Sequence, residues 1–95
     1  MIEITPKILA EVEEFASALL SPEEVAIITG IPTEHLEEEL ISGESDLAKA
    51  YLAGVLKTRA KVNAAIIKLA NQGSSPAQAI VMDLISEEKA KRAIL

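Results

Sequence analysis

The sequence predicts an all-α protein with three parts: an N-terminal three-helix head containing a helix-turn-helix, a long central helix and a returning C-terminal helix. Apolar residues recur at spacings of three and four in several segments, which is the period of an α-helix. Capping residues and glycines divide those segments into separate helices. The chain has one Phe, one Tyr and no Trp, so its core is aliphatic, as suits closely packed helices.

The first predicted helix runs from Thr5 to Leu20. Thr5 suits the N-cap and Pro6 the first helical position, where its missing N–H is not needed. Its apolar stripe consists of Ile8, Leu9, Val12, Phe15, Ala16 and Leu19. That stripe has to be covered, and the two helices that follow are the nearest cover.

The segment SPEEVAIITGIPTEHLEEEL, residues 21 to 40, predicts two short helices joined by a tight turn. Ser21 caps the first helix, Pro22 occupies its first position, and Glu24 returns a carboxylate to the cap in a capping box. Ala26 allows close helix approach, and Gly30 ends the helix sharply. The apolar face of this helix is predicted at Val25, Ile27 and Ile28.

The second helix of the motif is predicted to be capped by Thr33, with Leu36 and Leu40 facing inward. Such a pair of helices usually binds DNA through the second one, on which Thr33 and His35 are the polar candidates for DNA contact. The same helix carries an unusual density of acid, namely Glu34, Glu37, Glu38 and Glu39. The predicted helix-turn-helix shape therefore favours DNA as a partner, whereas the acidic charge favours a basic protein.

Charge is distributed unevenly along the chain. Residues 1–46 hold 12 acidic and 1 basic side chains, a net charge of −11, whereas residues 47–95 hold 3 acidic and 8 basic ones, a net charge of +5. Three interpretations stay open: solvated helix faces, attraction between oppositely charged halves in an oligomer, or a basic half that contacts nucleic acid while the acidic half faces a protein.

Residues 42–45, Ser-Gly-Glu-Ser, predict a hinge that separates a head at 1–43 from an oligomerisation region at 44–95. Asp46 to Asn71 follows as a single helix about 39 Å long at roughly 1.5 Å per residue. It carries two adjacent apolar lines, and one partner helix cannot cover both. Either the last helix covers one line and the head the other, or another copy of the chain does. We predict a subunit contact, with its candidate residues at Tyr51, Val55, Val62 and Ile66.

Lys57, Lys61 and Lys68 share one face of this helix, with Arg59 beside it. No Asp or Glu occurs between Asp46 and Asp83, although an ordinary wet face mixes charges of both signs. The face is either simply solvated or directed at phosphate or an acidic protein. The candidate phosphate contacts are Lys57, Arg59 and Lys61.

The last helix is predicted to begin with Ser75 as its cap and Gln78 completing a second capping box. Gly73 ends the preceding helix, so the two helices fold back on each other. The apolar face of the last helix is predicted at Ala77, Ile80, Val81, Leu84 and Ile85.

From about residue 20 to residue 85, the chain resembles the small terminase subunits of tailed bacteriophages and prophages. The more specific features follow the helix-turn-helix: Tyr51-Leu52-x-Gly54, a basic amphipathic middle and the joining stretch LANQGSSPAQ. The resemblance implies a non-catalytic DNA-packaging factor that binds viral double-stranded DNA through its N-terminal domain. It further implies assembly into a ring and cooperation with the large terminase subunit. The alternatives are a helix-turn-helix adaptor that binds protein rather than DNA, and a dimeric transcription regulator.

Enzymatic chemistry finds little support in the sequence. There are no cysteines and a single histidine, His35, among glutamates on a predicted surface, so we expect no catalytic residues, no metal site and no cofactor. No segment approaches the roughly 20 apolar residues of a membrane span or resembles a signal peptide. We expect a cytoplasmic protein of the bacterial host cell.

Overall fold

The computed structural model describes residues 3–94, and within that range the chain is helical and contains no strand. This confirms the all-α prediction. The five helices of the described range are α1 (Pro6–Ser17), α2 (Pro22–Thr29), α3 (Thr33–Ser42), α4 (Asp46–Asn71) and α5 (Ser75–Ile94).

The chain divides into two compact units, and the division falls within α4, between Arg59 and Ala60. The first unit extends beyond Gly43, the boundary predicted from the sequence, because it includes the first half of α4. Leu47 and Tyr51 of α4 are buried there, 3% and 9% exposed, in one core with α1, α2 and α3. The head thus covers the start of one apolar line of α4, as in the alternative to a subunit contact, and the first half of α4 joins the three predicted helices.

The core of the first unit is aliphatic, as predicted, and its largest fully buried side chains are Leu36, Val12 and Val25. Ala26 is buried and Leu40 packs against the core from its edge, both in agreement with the sequence. The connected core cluster consists of Val12, Ala16, Val25, Ala26, Ile31, Leu36, Leu47 and Tyr51, and Ala48 is buried as well.

The predicted apolar face of α2 is wrong at Ile27 and Ile28, which are 70% and 53% exposed. Val25 and Ala26 are the residues that α2 buries. Each helical residue advances by about 100°, so the next two positions turn away from the buried side. An eight-residue helix has room for only one buried face.

Capping explains several helix starts as the sequence predicted. Thr5 Oγ1 accepts a hydrogen bond from the Ile8 backbone N–H at 3.2 Å. At Ser21 the capping box is complete: its backbone N–H donates to Glu24 Oε1 at 2.9 Å, and the Glu24 N–H donates to Ser21 Oγ at 3.2 Å. Gly30 then ends α2 in the left-handed conformation, with φ at 79°.

Two predicted caps are wrong by one residue. Thr33 is already helical, and the N-cap is Pro32, which makes no side-chain cap hydrogen bond but accepts the Leu36 N–H at its carbonyl. The cap of α5 is Ser74 rather than Ser75, since Ser74 Oγ accepts from the Ala77 N–H at 3.4 Å.

The predicted second capping box is therefore also wrong, because it required Ser75 at the cap. The Gln78 side chain makes a different hydrogen bond: its Nε2 donates to the Ala70 carbonyl oxygen at 3.2 Å. This contact ties the first turn of α5 to the last turn of α4.

The first helix ends earlier than predicted, at Ser17 instead of Leu20. Leu19 takes a left-handed φ of 65°, which is uncommon for a residue with a bulky side chain. The Leu20 N–H bonds back to the Phe15 carbonyl at 3.4 Å. The chain thereby turns toward α2 without a glycine.

Helix α4 is tied to α1 and the turn after it by hydrogen bonds that no sequence period indicates. The Tyr51 hydroxyl donates to the Leu20 carbonyl oxygen at 2.8 Å, and the Thr58 hydroxyl donates to the Ser17 carbonyl. Gly54 lies between these two contacts and is buried against α1. These contacts assign the first half of α4 to the head.

The second unit contains the remainder of α4 and α5, joined by a turn at residues 72–74 in which Gly73 has φ 100°. Among its described residues only Ala77 is a buried hydrophobic residue. Several aliphatic side chains of this unit are more than two-fifths exposed: Val62, Ile67, Leu69, Ile80, Met82 and Ile85. The second unit therefore has almost no core of its own.

Candidate functional site

The two predicted DNA contacts on α3 have different surroundings. Thr33 is half-buried at the first position of the helix. His35 lines a small pocket with Ile4, Leu9 and Leu47, and its Nε2 lies 4.0 Å from Glu39 Oε1. The His35 side chain is 45% exposed, and the pocket that it borders is lined by Glu39 and Asp46 as well as by apolar residues.

The outward surface of α3 is acidic. Glu34, Glu37 and Glu38 are exposed, and Glu23 at the start of α2 is exposed as well. Across residues 3–94, none of these four carboxylates forms an ion pair. Uncompensated carboxylates repel phosphate, so this surface is poorly suited to lie in a DNA groove.

Lys57, a predicted phosphate contact, forms an ion pair with Glu13 of α1, with 3.0 Å between Nζ and Oε2. The sequence around Lys57 contains no acidic residue, so it suggested an uncompensated basic face. The acidic partner comes instead from 44 positions earlier in the chain. The Lys57 side chain is 64% exposed and the Glu13 side chain 39%, so water screens the pair and it contributes little stability, typically below about 1 kcal/mol. A phosphate would have to compete with Glu13 for Lys57.

The other two predicted phosphate contacts are exposed. Arg59 is the last residue of the first unit, and Lys61 belongs to the second unit. Within the first unit, the predicted contacts occupy separate places: His35 lies beside the start of α1, whereas Lys57 is bound to Glu13 further along that helix.

The four predicted oligomerisation residues divide between the units. Tyr51 is in the core of the first unit and Val55 packs against that core, so both are already covered by the chain itself. Val62 is 49% exposed and Ile66 is half-buried, both in the second unit. Only these two remain on a surface that another molecule can cover.

A shallow groove between α2 and α3 was not indicated by the sequence. It encloses about 470 Å³ and is lined by Ser21, Pro22, Glu23, Glu37, Leu40 and Ile41. Ile41 is 86% exposed, the highest value among the large hydrophobic residues of the described chain. One feature of the sequence could have indicated this groove. Ile41 follows directly after the inward-facing Leu40, so its apolar side chain points away from the core, toward the acidic side of the helix.

Two ionisable groups of the first unit, the Glu24 carboxyl and the Tyr51 phenol, have shifted pKa values, and both shifts have structural causes. Hydrogen bonds from the Ser21 backbone and side chain lower the pKa of Glu24 below 4.5. Burial, and secondarily the negative charge of Glu24, raises the pKa of Tyr51 above 10.0. These shifts report helix capping and packing.

The described range contains no group of three or more His, Cys, Asp or Glu side chains arranged to hold a metal ion. Over the same range, no helix is both long enough and apolar enough to cross a bilayer.

Comparison with known proteins gives no match to a family model, a curated protein or a solved structure.

Proposed function

We propose that this protein is a non-catalytic DNA-packaging factor similar to small terminase subunits. In this role it binds double-stranded DNA, assembles as a homo-oligomer and works with the large terminase subunit in the cytoplasm of a bacterial host. The observation that supports it most directly is the exposed aliphatic surface of the second unit, together with a helix-turn-helix in the first.

Assembly through the second unit follows from its lack of a core. Two helical segments that bury one alanine gain too little from hydrophobic burial to offset the entropy of ordering them. Covering the exposed residues of one side of α4, such as Val62 and Leu69, with the same residues of other copies removes that apolar surface from water. The interface is therefore assigned to the second unit, without Tyr51.

DNA contact is assigned to basic side chains of α4 rather than to the acidic surface of α3. Lys61 is exposed, and Lys57 is held by an ion pair weak enough for phosphate to displace. Binding of this kind depends on release of cations from the phosphates and so weakens steeply with added salt.

The DNA test is a fluorescence-anisotropy titration of a labelled duplex with the whole chain over a series of salt concentrations. We expect binding at low salt, a loss of affinity in Lys61→Gln, and a gain of about threefold in Glu13→Gln because Lys57 is released. Glu14→Gln on the same helix is the matched control and leaves affinity near its original value. Absence of binding at low salt refutes the DNA role.

The assembly test is light scattering of the whole chain and of Val62→Asn. We expect a mass larger than a dimer that falls in the variant, whereas Leu56→Asn, an equally exposed aliphatic position in the first unit, keeps the original mass. A stable dimer would instead favour a transcription regulator.

The acidic surface of α3 favours a second candidate, a helix-turn-helix adaptor that binds a protein and not DNA. Replacing Glu34 and Glu38 with Gln separates the candidates. The double variant gains DNA affinity if the head approaches DNA, and loses affinity for a basic protein partner if the adaptor role is correct.

A further inference from the structure

The groove between α2 and α3 combines an apolar floor with acidic walls. Pro22 and Leu40 are half-buried in it, and Ile41 stands exposed at its edge. Glu23 is contributed by α2 and Glu37 by α3, so carboxylates flank the apolar side chains from both helices. An aliphatic anchor between two negative charges is what a basic amphipathic segment requires.

The backbone on both sides of the groove is held by local structure. Glu24 is engaged in the capping box with Ser21, which holds the start of α2 and leaves the neighbouring Glu23 as the available carboxylate. Glu37 and Ile41 are four residues apart on α3 and therefore lie on one side of that helix. The groove is consequently formed before any partner arrives.

Charge complementarity decides the kind of occupant. Residues 1–46 carry a net charge of −11, so phosphate groups of nucleic acid or anionic lipid are repelled, whereas lysine and arginine are attracted. A second copy of the chain has a net charge of −6, so its approach to this acidic surface is opposed overall. A basic segment of another protein is therefore favoured over a second copy.

We propose that this groove is a docking site for a lysine- or arginine-rich amphipathic segment of another protein. An aliphatic side chain of the partner packs on Pro22, Leu40 and Ile41, and its cations pair with Glu23 and Glu37. The site is independent of the proposed packaging role, since it uses neither the basic residues of α4 nor the aliphatic surface of the second unit. It deepens the adaptor candidate by naming the residues that would hold a basic partner.

The test is an anisotropy titration of a labelled amphipathic peptide of lysine and leucine with the whole chain. We expect Ile41→Ser to weaken binding about tenfold through lost apolar burial, and Glu37→Gln about threefold. Ile27→Ser is the matched control, since Ile27 is also exposed on this motif but does not line the groove, and it retains the original affinity. A scrambled peptide of equal charge binds more weakly.

Three results would overturn the proposal: equal binding by Ile41→Ser and Ile27→Ser, equal binding of the scrambled peptide, or a fall in the mass of the chain caused by Ile41→Ser alone. The last would identify a second copy as the occupant. Duplex affinity and the effect of Val62→Asn on mass are measured in parallel. Their failure refutes the packaging role without altering the peptide result.

Discussion

Gly54 of α4 faces the backbone carbonyl of Glu13 in α1 so closely that no side chain fits between them. A Cβ atom at Gly54 would overlap the Glu13 carbonyl oxygen and lie 2.8 Å from Ala16 Cβ and 2.9 Å from the Ser17 nitrogen. Two of these three neighbours are backbone atoms, which cannot move aside by a change of rotamer. The contact fixes how near α4 lies to α1 in the head.

The first prediction concerns this contact. Gly54→Ala normally favours a helix by about 1 kcal/mol, but here we expect a net loss of about 1 to 3 kcal/mol from overpacking. Denaturant unfolding followed by circular dichroism measures it. Gly73→Ala is a comparison at a position with open space, where the cost comes from its φ of 100° alone. A more stable Gly54→Ala variant would contradict the packing described.

The second prediction concerns the left-handed residue after α1. Leu19 is 61% exposed with φ 65°, so its side chain adds strain and little burial. We expect Leu19→Gly to raise the free energy of unfolding by up to about 1 kcal/mol. Ala18→Gly, at an adjacent φ of −84°, is expected to lower it. Thermal unfolding of both variants tests whether the two substitutions change stability in opposite directions. If both raise or both lower the stability, relief of strain at Leu19 is not the cause.

The third prediction concerns Tyr51, whose hydroxyl bonds to the Leu20 carbonyl. Tyr51→Phe is expected to lose about 1 kcal/mol of stability. Because burial raises its pKa, the folded state favours the neutral phenol, so stability falls as the pH rises past the unfolded value of 10.0. The chain has no other tyrosine, so tyrosinate absorbance follows this group alone. A titration midpoint at or below 10.0 would contradict the assignment.

The fourth prediction concerns the capping box. The Ser21 hydrogen bonds lower the pKa of Glu24, so its contribution to stability is present above the unfolded value of 4.5 and is lost as the pH falls through the folded pKa. We expect Glu24→Gln to flatten the acid dependence of stability. Glu23→Gln, one residue earlier and outside the box, keeps it. Unfolding curves measured across the acid range give the stability of each variant as a function of pH. The same pH dependence in Glu24→Gln and Glu23→Gln would argue against the capping box.

The sequence predicted the elements of this fold better than their grouping. Caps and stops depend on neighbouring residues, so Thr5, Ser21 and Gly30 could be assigned from local chemistry. The attachment of α4 to the head depends on Tyr51 reaching Leu20, 31 positions away, and on an absent side chain at Gly54. Contacts of that kind have no sequence period, so the residue at which the first unit ends, Arg59, cannot be read from local patterns.

The candidate site was predictable in part, for the same reason. The acidity of α3 is visible in the order of its residues, whereas the pairing of Lys57 with Glu13 joins two helices and is not. The groove residues come from the two ends of the motif, at Ser21 and Ile41, which only the folded chain brings together.

The position of Tyr51 also makes the two units separately observable. Both aromatic residues of the chain, Phe15 and Tyr51, lie before residue 60, and there is no tryptophan. Near-ultraviolet circular dichroism therefore responds to the order of the head, whereas the far-ultraviolet signal sums the helices of both units. A mismatch between the two melting curves would reveal an intermediate in which one unit has unfolded and the other has not.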